Sequence, residues 1–306
     1  RKDFIELAKL VFKVPFGLLD AKPLDLTKVS KDANWLMHMD FDAMRKSEIG
    51  SFIQSSMEKI PEAVDRMDDV KSRYGIDLNG FSYLTMSGNG EKDKGIAIMK
   101  GGLDSDKMIE FAESKGSLEE SLIGKQTVYS SSKGKRPMAF TVMKKGVVVG
   151  GPDSDYVSEG ILLAKGKAPS YEGHDLLKMI SGRVTKPGFI MFANLAGAAD
   201  DNKLDHRAKF MVDKVKAGAM AIGDQGGAIR ITAVMETTGE ETSSQVESMI
   251  RGGLAMVDLR KAEDKRLASV LNGHSVKREG NLIWIEVELS IEAILEHLEK
   301  EMRKSV

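Results

Sequence analysis

The sequence contains no cysteine, and that absence removes several classes of function at once. No disulfide framework, thiolate nucleophile, Cys-ligated zinc or lipid-bearing cysteine can be built from these residues. A chain without thiols suits an oxidising compartment, so a periplasmic or extracellular setting is the expectation, with the cytoplasm as the alternative. Proline is also scarce, at 7 residues, which leaves little room for a long Pro-rich linker. Net charge is almost nil: Lys+Arg 45 against Asp+Glu 46 gives -1. Electrostatic capture of nucleic acid normally shows as a basic excess or stripe, so no nucleic-acid partner is expected. Outside the N-terminal stretch, no apolar run approaches the roughly 18 residues needed to span a bilayer.

What is present is ordinary globular material. Hydrophobic residues make up 42% and charged residues 30%, enough to bury a real core. A length of 306 residues exceeds the usual single-domain range of roughly 100–200, so two domains or one duplicated domain are expected. Methionine is abundant, at 18. It reads first as flexible core filler, and secondly as a Met-rich recognition surface.

The N-terminal stretch 1–31 stands apart. From Arg1 to Ala21 the chain opens basic, turns apolar through Leu10, Val11, Phe12, Val14, Phe16, Leu18 and Leu19, and reaches a small residue. That order is similar to a secretory signal, but Asp3, Glu6, Lys9 and Lys13 interrupt the apolar region. Lys2, Glu6, Lys9 and Lys13 recur at i, i+4, i+7 and i+11, which predicts an amphipathic docking helix interrupted by Pro15. Contact with a membrane surface through residues 1–19 is the secondary use of such a helix.

From Asn34 the pattern becomes regular. Asn34–Phe41 alternates as a strand, and Asp42 is placed to cap a helical region that runs to about Tyr74, broken near Gly50 and Pro61. Gly80–Ser87 and Gly95–Lys100 read as a hairpin around Gly88–Lys94. A helix follows Asp104-Ser105-Asp106. Short strands lie near Gln126–Ser130, Met138–Met143 and Gly146–Gly150, and Pro152-Asp153-Ser154-Asp155 opens a helix to about Lys165. After a connector helix at Tyr171–Ile180, Phe189–Asn194 is a strand and Lys203–Lys216 an amphipathic helix. Ala219–Gly223 and Ala228–Met235 form a hairpin, Glu241–Val257 and Glu263–Leu271 are helical, His274–Arg278 and Leu282–Leu289 pair, and Ile291–Arg303 closes the chain. Both halves therefore read strand, helix, hairpin, helix, hairpin, helix: a first unit at 32–166, a connector at 167–183 and a second unit from 184. Tight turns between successive strands predict an α+β fold with mainly antiparallel sheets and helices packed on one face.

The segment Asp32-Ala33-Asn34-Trp35-Leu36-Met37-His38-Met39-Asp40-Phe41-Asp42-Ala43-Met44 resembles the opening of the mature domain in a group of exported bacterial proteins without an assigned activity. Gly166–Ser170 and Gln245–Met256 are similar to further segments of that group. The resemblance touches most of the chain from Asp32 onward. It implies export and a duplicated α+β domain, and it carries no catalytic motif. The charged N-terminal helix departs from the group's signal peptide.

Candidate sites are few. His38, Asp40 and Asp42 stand two apart, which puts His38 and Asp40 on one strand face; an imidazole and two carboxylates can ligate a divalent metal or exchange protons. The structural alternative is that Asp42 caps a helix while His38 and Asp40 hydrogen-bond at a sheet surface. His174, His206, His274 and His297 stand alone. Ser56…Lys59 and Ser130…Lys133 match Ser-x-x-Lys, but neither serine begins a helix as that acylation chemistry requires. Glycines at Gly88–Gly90 and Gly223–Gly227 fall in hairpins, and Gly150-Gly151 precedes Asp153 and Asp155, which would repel a phosphate. The two Asp-Ser-Asp segments lack a calcium loop and read as helix caps. Lys133, Lys135 and Arg136 read as a solvated loop. Taken together, these features predict a non-enzymatic binding or assembly protein with a protein partner or self-assembly and no cofactor. The alternative is a metal-dependent or hydrolytic enzyme centred on His38, Asp40 and Asp42.

Overall fold

Residues 24–115, 118–131, 137–184, 187–196 and 212–304 are described by the computed structural model. The docking helix, the membrane contact through residues 1–19, most of the amphipathic stretch 203–216 and the basic loop at 133–136 lie outside them. The strands are β1 (Trp35–Asp40), β2 (Ile76–Gly88), β3 (Ile96–Leu103), β4 (Glu119–Ile123), β5 (Gln126–Ser131), β6 (Met138–Met143), β7 (Val147–Gly151), β8 (Phe189–Asn194), β9 (Val215–Gln225), β10 (Ala228–Thr237), β11 (Leu271–Glu279) and β12 (Leu282–Ser290). The helices are α1 (Phe41–Lys46), α2 (Glu48–Met57), α3 (Pro61–Tyr74), α4 (Ser105–Lys115), α5 (Ser154–Ala164), α6 (Asp175–Ser181), α7 (Glu240–Glu263), α8 (Lys265–Val270) and α9 (Ile291–Lys304). The fold is α+β with antiparallel sheet pairing, as the hairpin spacing predicts.

The chain divides into two compact units. One holds 24–42 and 54–173, and the other holds 43–53 and the described chain from His174 onward. The segment 43–53, which sequence order places with the first unit, therefore belongs to the second. Its apolar residues explain why: Ile49 is fully buried with Ile229 and Ile291, and Ile53, Ile222, Leu289 and Ile294 pack around them.

In the first unit the strands run β1-β2-β3-β7-β6-β5-β4. Its core forms where α5 lies on the sheet, burying Val157, Ile161 and Leu163 against Ile96, Ile98, Val128, Ala139 and Val149. Burial of this apolar surface, at roughly 25 cal/mol per Å², is the main term holding the layers together. Asp153 starts α5 as its spacing predicts: the side chain accepts from the backbone N–H groups of Asp155 and Tyr156. Asp104 does the same for α4 through Asp106 and Lys107.

The second unit has the strand order β11-β12-β10-β9-β8. Ile229 and Ile231 of β10, with Leu289 of β12, meet α2 and α9. Met235, Ile283 and Ile285, on the same strands with the same alternation, meet α7. Among the described residues, no helix is long and apolar enough to cross a membrane.

Local chemistry moves two expected boundaries. The helix after β1 begins at Phe41 and breaks at Ser47, whose Oγ donates to Met44 O at 2.8 Å and accepts from Gly50 N at 2.6 Å. Gly50 lies inside α2 and does not break it; a Cβ there would meet Met44 O at 1.9 Å, so only glycine fits. Where Lys203–Lys216 was expected to be helical throughout, strand β9 already begins at Val215.

Candidate functional site

His38 and Asp40 share a face of β1, and both are buried, at 2% and 0% exposure. His38 Nδ1 is 2.9 Å from Thr85 Oγ1 on β2, its partner in register. The imidazole centroid is 6.2 Å from that of Tyr83, and Lys28 Nζ sits 4.8 Å from the same Tyr83 ring. Asp42 does not continue the strand face. It stands in the first turn of α1, where the helix N-terminus favours a carboxylate, and it accepts a 2.5 Å hydrogen bond from Ser82 Oγ. Asp42 is the second residue of α1. Among the described residues no three histidine or acidic side chains are placed to hold a metal.

The remaining motifs have local roles. Ser56 lies within α2 and Ser130 within β5, where its Oγ donates to Glu119 O at 3.3 Å. Gly88 ends β2 and Gly223 lies within β9, while Gly90, Gly226 and Gly227 fall in the β2–β3 and β9–β10 connections. At the N-terminus of α5 the Asp153 carboxylate takes the N–H groups of Asp155 and Tyr156 and places its own negative charge where an anion would bind. His174 caps α6, its Nδ1 accepting from Leu176 N at 3.3 Å.

A different feature emerges on α7. Its inner face is fixed to the sheet by Val246, which is fully buried, and by Ile250 and Leu254, packed against Val276, Ile283 and Ile285. Polar clamps hold its flanks to β11. Arg251 donates to Val276 O at 2.6 Å, Lys261 to Leu271 O at 2.7 Å, and Asp258 pairs with His274 Nε2 at 2.9 Å. Glu247 accepts from Arg251 at 2.8 Å and Arg278 at 3.1 Å. The Arg251 hydrogen bond foremost, then Arg278, holds the Glu247 carboxyl below its ordinary range.

These anchors present the opposite face to solvent. Met249, Met256 and Leu259 are 52%, 64% and 70% exposed. At 3.6 residues per turn they share one side of the helix with Ser248, Gly252 and Ala255. Two adjacent glycines mid-helix cost about 1 kcal/mol each relative to alanine. Elsewhere in helices, Gly50 and Gly160 are explained by their neighbours: a Cβ would meet Met44 O at 1.9 Å and Val149 Cγ1 at 2.4 Å. At Gly252 and Gly253 a Cβ would meet nothing within 4 Å. Packing among the described residues does not require them.

Sequence reading places this segment in a helix but misses its outer face. The available signal is that apolar residues occupy two sides at once. Val246, Ile250, Leu254 and Val257 recur at i, i+4, i+8 and i+11, while Met249, Met256 and Leu259 fall between them.

No protein family model matches the chain, and no curated protein sequence does so. Among solved structures it is similar to TP0453, a Treponema protein. Crystal form III of that protein aligns with a TM-score of 0.50 at 10% identity, covering 91% of this chain and 97% of that one. Crystal form I gives 0.49 at 10% identity over 91% and 98%, and crystal form IV gives 0.48 at 10% identity over 91% and 97%. At this identity the likeness is one of fold.

Proposed function

We propose that this chain is a non-enzymatic binding or assembly protein that engages a protein partner through the outer face of α7. The observation that carries the reading is the pairing of exposed Met249, Met256 and Leu259 with two helical glycines that nothing among the described residues requires. Glycine in a helix lowers its stability, and a need for close approach of a neighbour to the backbone is a reason to keep it there. Flexible, polarizable methionines suit such a contact. A periplasmic or extracellular setting belongs to the same proposal. It is supported by the lack of cysteine and by the resemblance of Asp32–Met44 to exported proteins.

Site-specific photo-crosslinking tests it. A benzophenone side chain placed at Ala255 is expected to yield an adduct heavier than the chain in native cells, while the same group at exposed Lys92 yields none. Equal labelling at both positions, or none at Ala255, contradicts the proposal.

A further inference from the structure

We infer that the partner of the α7 face is a second copy of this chain, packed antiparallel across Gly252–Gly253. This deepens the binding reading and rests on it.

The face is its own complement. Gly252 and Gly253 lie just past the midpoint of Glu240–Glu263. Met249 and Met256 stand at equal distances on either side of them, both exposed. A two-fold axis through the Gly252–Gly253 step, perpendicular to the helix, lays Met249 of each copy against Met256 of the other. It also puts the glycines where the two backbones come closest. Isologous contacts of this kind are the commonest way in which soluble chains self-associate.

Charge follows the same symmetry. The N-terminal turn carries Glu240 and Glu241, and the other end carries Arg260, Lys261 and Lys265 against Glu263 and Asp264. Antiparallel packing brings the acidic turn of one copy over the net basic end of the other. It also opposes the helix dipoles favourably. The helix is roughly 36 Å long at 1.5 Å per residue. One helix-on-helix contact buries less than the ~1,200 Å² typical of stable complexes, so the dimer is a weak one.

The test is sedimentation velocity of the full chain from about 5 to 500 μM, a range that covers weak association. The expected result is a sedimentation coefficient that rises with concentration for the native chain. Gly252→Leu is expected to stay monomeric throughout, with a thermal midpoint unchanged or raised, because its Cβ meets nothing within 4 Å in the monomer. Opposing changes supply a second check. Glu240→Lys with Glu241→Lys, and Arg260→Glu with Lys265→Glu, each weaken association, and all four in one chain restore it. A native chain monomeric at every concentration overturns the inference, as does a Gly252→Leu chain that dimerises like the native one. If self-association is absent while the Ala255 photoadduct contains a different protein, self-pairing falls and the binding reading stands. If self-association and photoadduct are both absent, both fall.

Discussion

The guanidinium of Arg183 lies over the indole of Trp284, its central carbon 3.8 Å from the ring centroid. Glu286 holds the same guanidinium at 3.3 Å. The loop after α6 is thereby tied to β12. Arg183→Ala is expected to lower stability by about 1 kcal/mol, and Arg183→Lys by less, because an ammonium keeps the charge but loses the planar stacking. Urea unfolding followed by tryptophan fluorescence measures this. Identical midpoints for all three chains would show that the stacking contributes nothing.

Gly160 sets how closely α5 approaches the sheet. A Cβ there would stand 2.4 Å from Val149 Cγ1 and 2.9 Å from Ile96 Cγ2. Ordinarily Gly→Ala in a helix gains about 1 kcal/mol. Here overpacking dominates, and Gly160→Ala is expected to cost a net ~1–3 kcal/mol. Calorimetry checks the sign: a raised melting temperature would mean that the α5 core is looser than described.

The hydroxyl of Thr85 faces His38 Nδ1 across the β1–β2 pair, in a fully buried setting. Thr85→Val keeps the shape and removes this hydrogen bond, so about 1 kcal/mol of stability is expected to be lost. Ser82→Ala, which removes the donor to Asp42, is expected to act in the same direction. Chemical denaturation of each variant is the measurement. Unchanged stability in both would argue that these polar groups are kept for chemistry and not for structure.

Asp224 is expected to give the fold a pH dependence. Burial first, and the nearby Glu48 carboxylate second, raise its carboxyl above the ordinary value. The folded state thus prefers the protonated acid. Its stabilising effect is complete below the unfolded value near ~3.9 and is lost as pH rises through the raised folded value. Asp224→Asn is therefore expected to raise the melting temperature at pH 7 and leave it unchanged near pH 3. A gain of equal size at both pH values would contradict the assignment.

Much of the architecture was legible because alternation and turn chemistry are local. Trp35–Asp40, the hairpin around Asp224–Gly227 and the caps at Asp104 and Asp153 all follow from neighbours in sequence. What escaped depends on distant partners. Strand β4 has a weak pattern, with Glu119–Leu122 exposed, and exists because β5 offers it hydrogen bonds. The 43–53 segment joins the later unit because Ile49 fits between Ile229 and Ile291. At the candidate site, the spacing of His38 and Asp40 correctly gave a shared face, but not its burial. For α7, sequence yields a helix with apolar residues on two sides, and only the packing of Val246 and Leu254 says which side is left outside.

A chain without cysteine accepts a single reporter thiol cleanly. Pulsed electron–electron resonance on Ala255→Cys carrying a nitroxide tests self-pairing through α7 most directly. Two helices packed 8–10 Å apart are expected to give one inter-spin distance on the order of 20–30 Å, growing with concentration and lost when Gly252→Leu is added. A featureless background at every concentration, or a distance that survives Gly252→Leu, would contradict it.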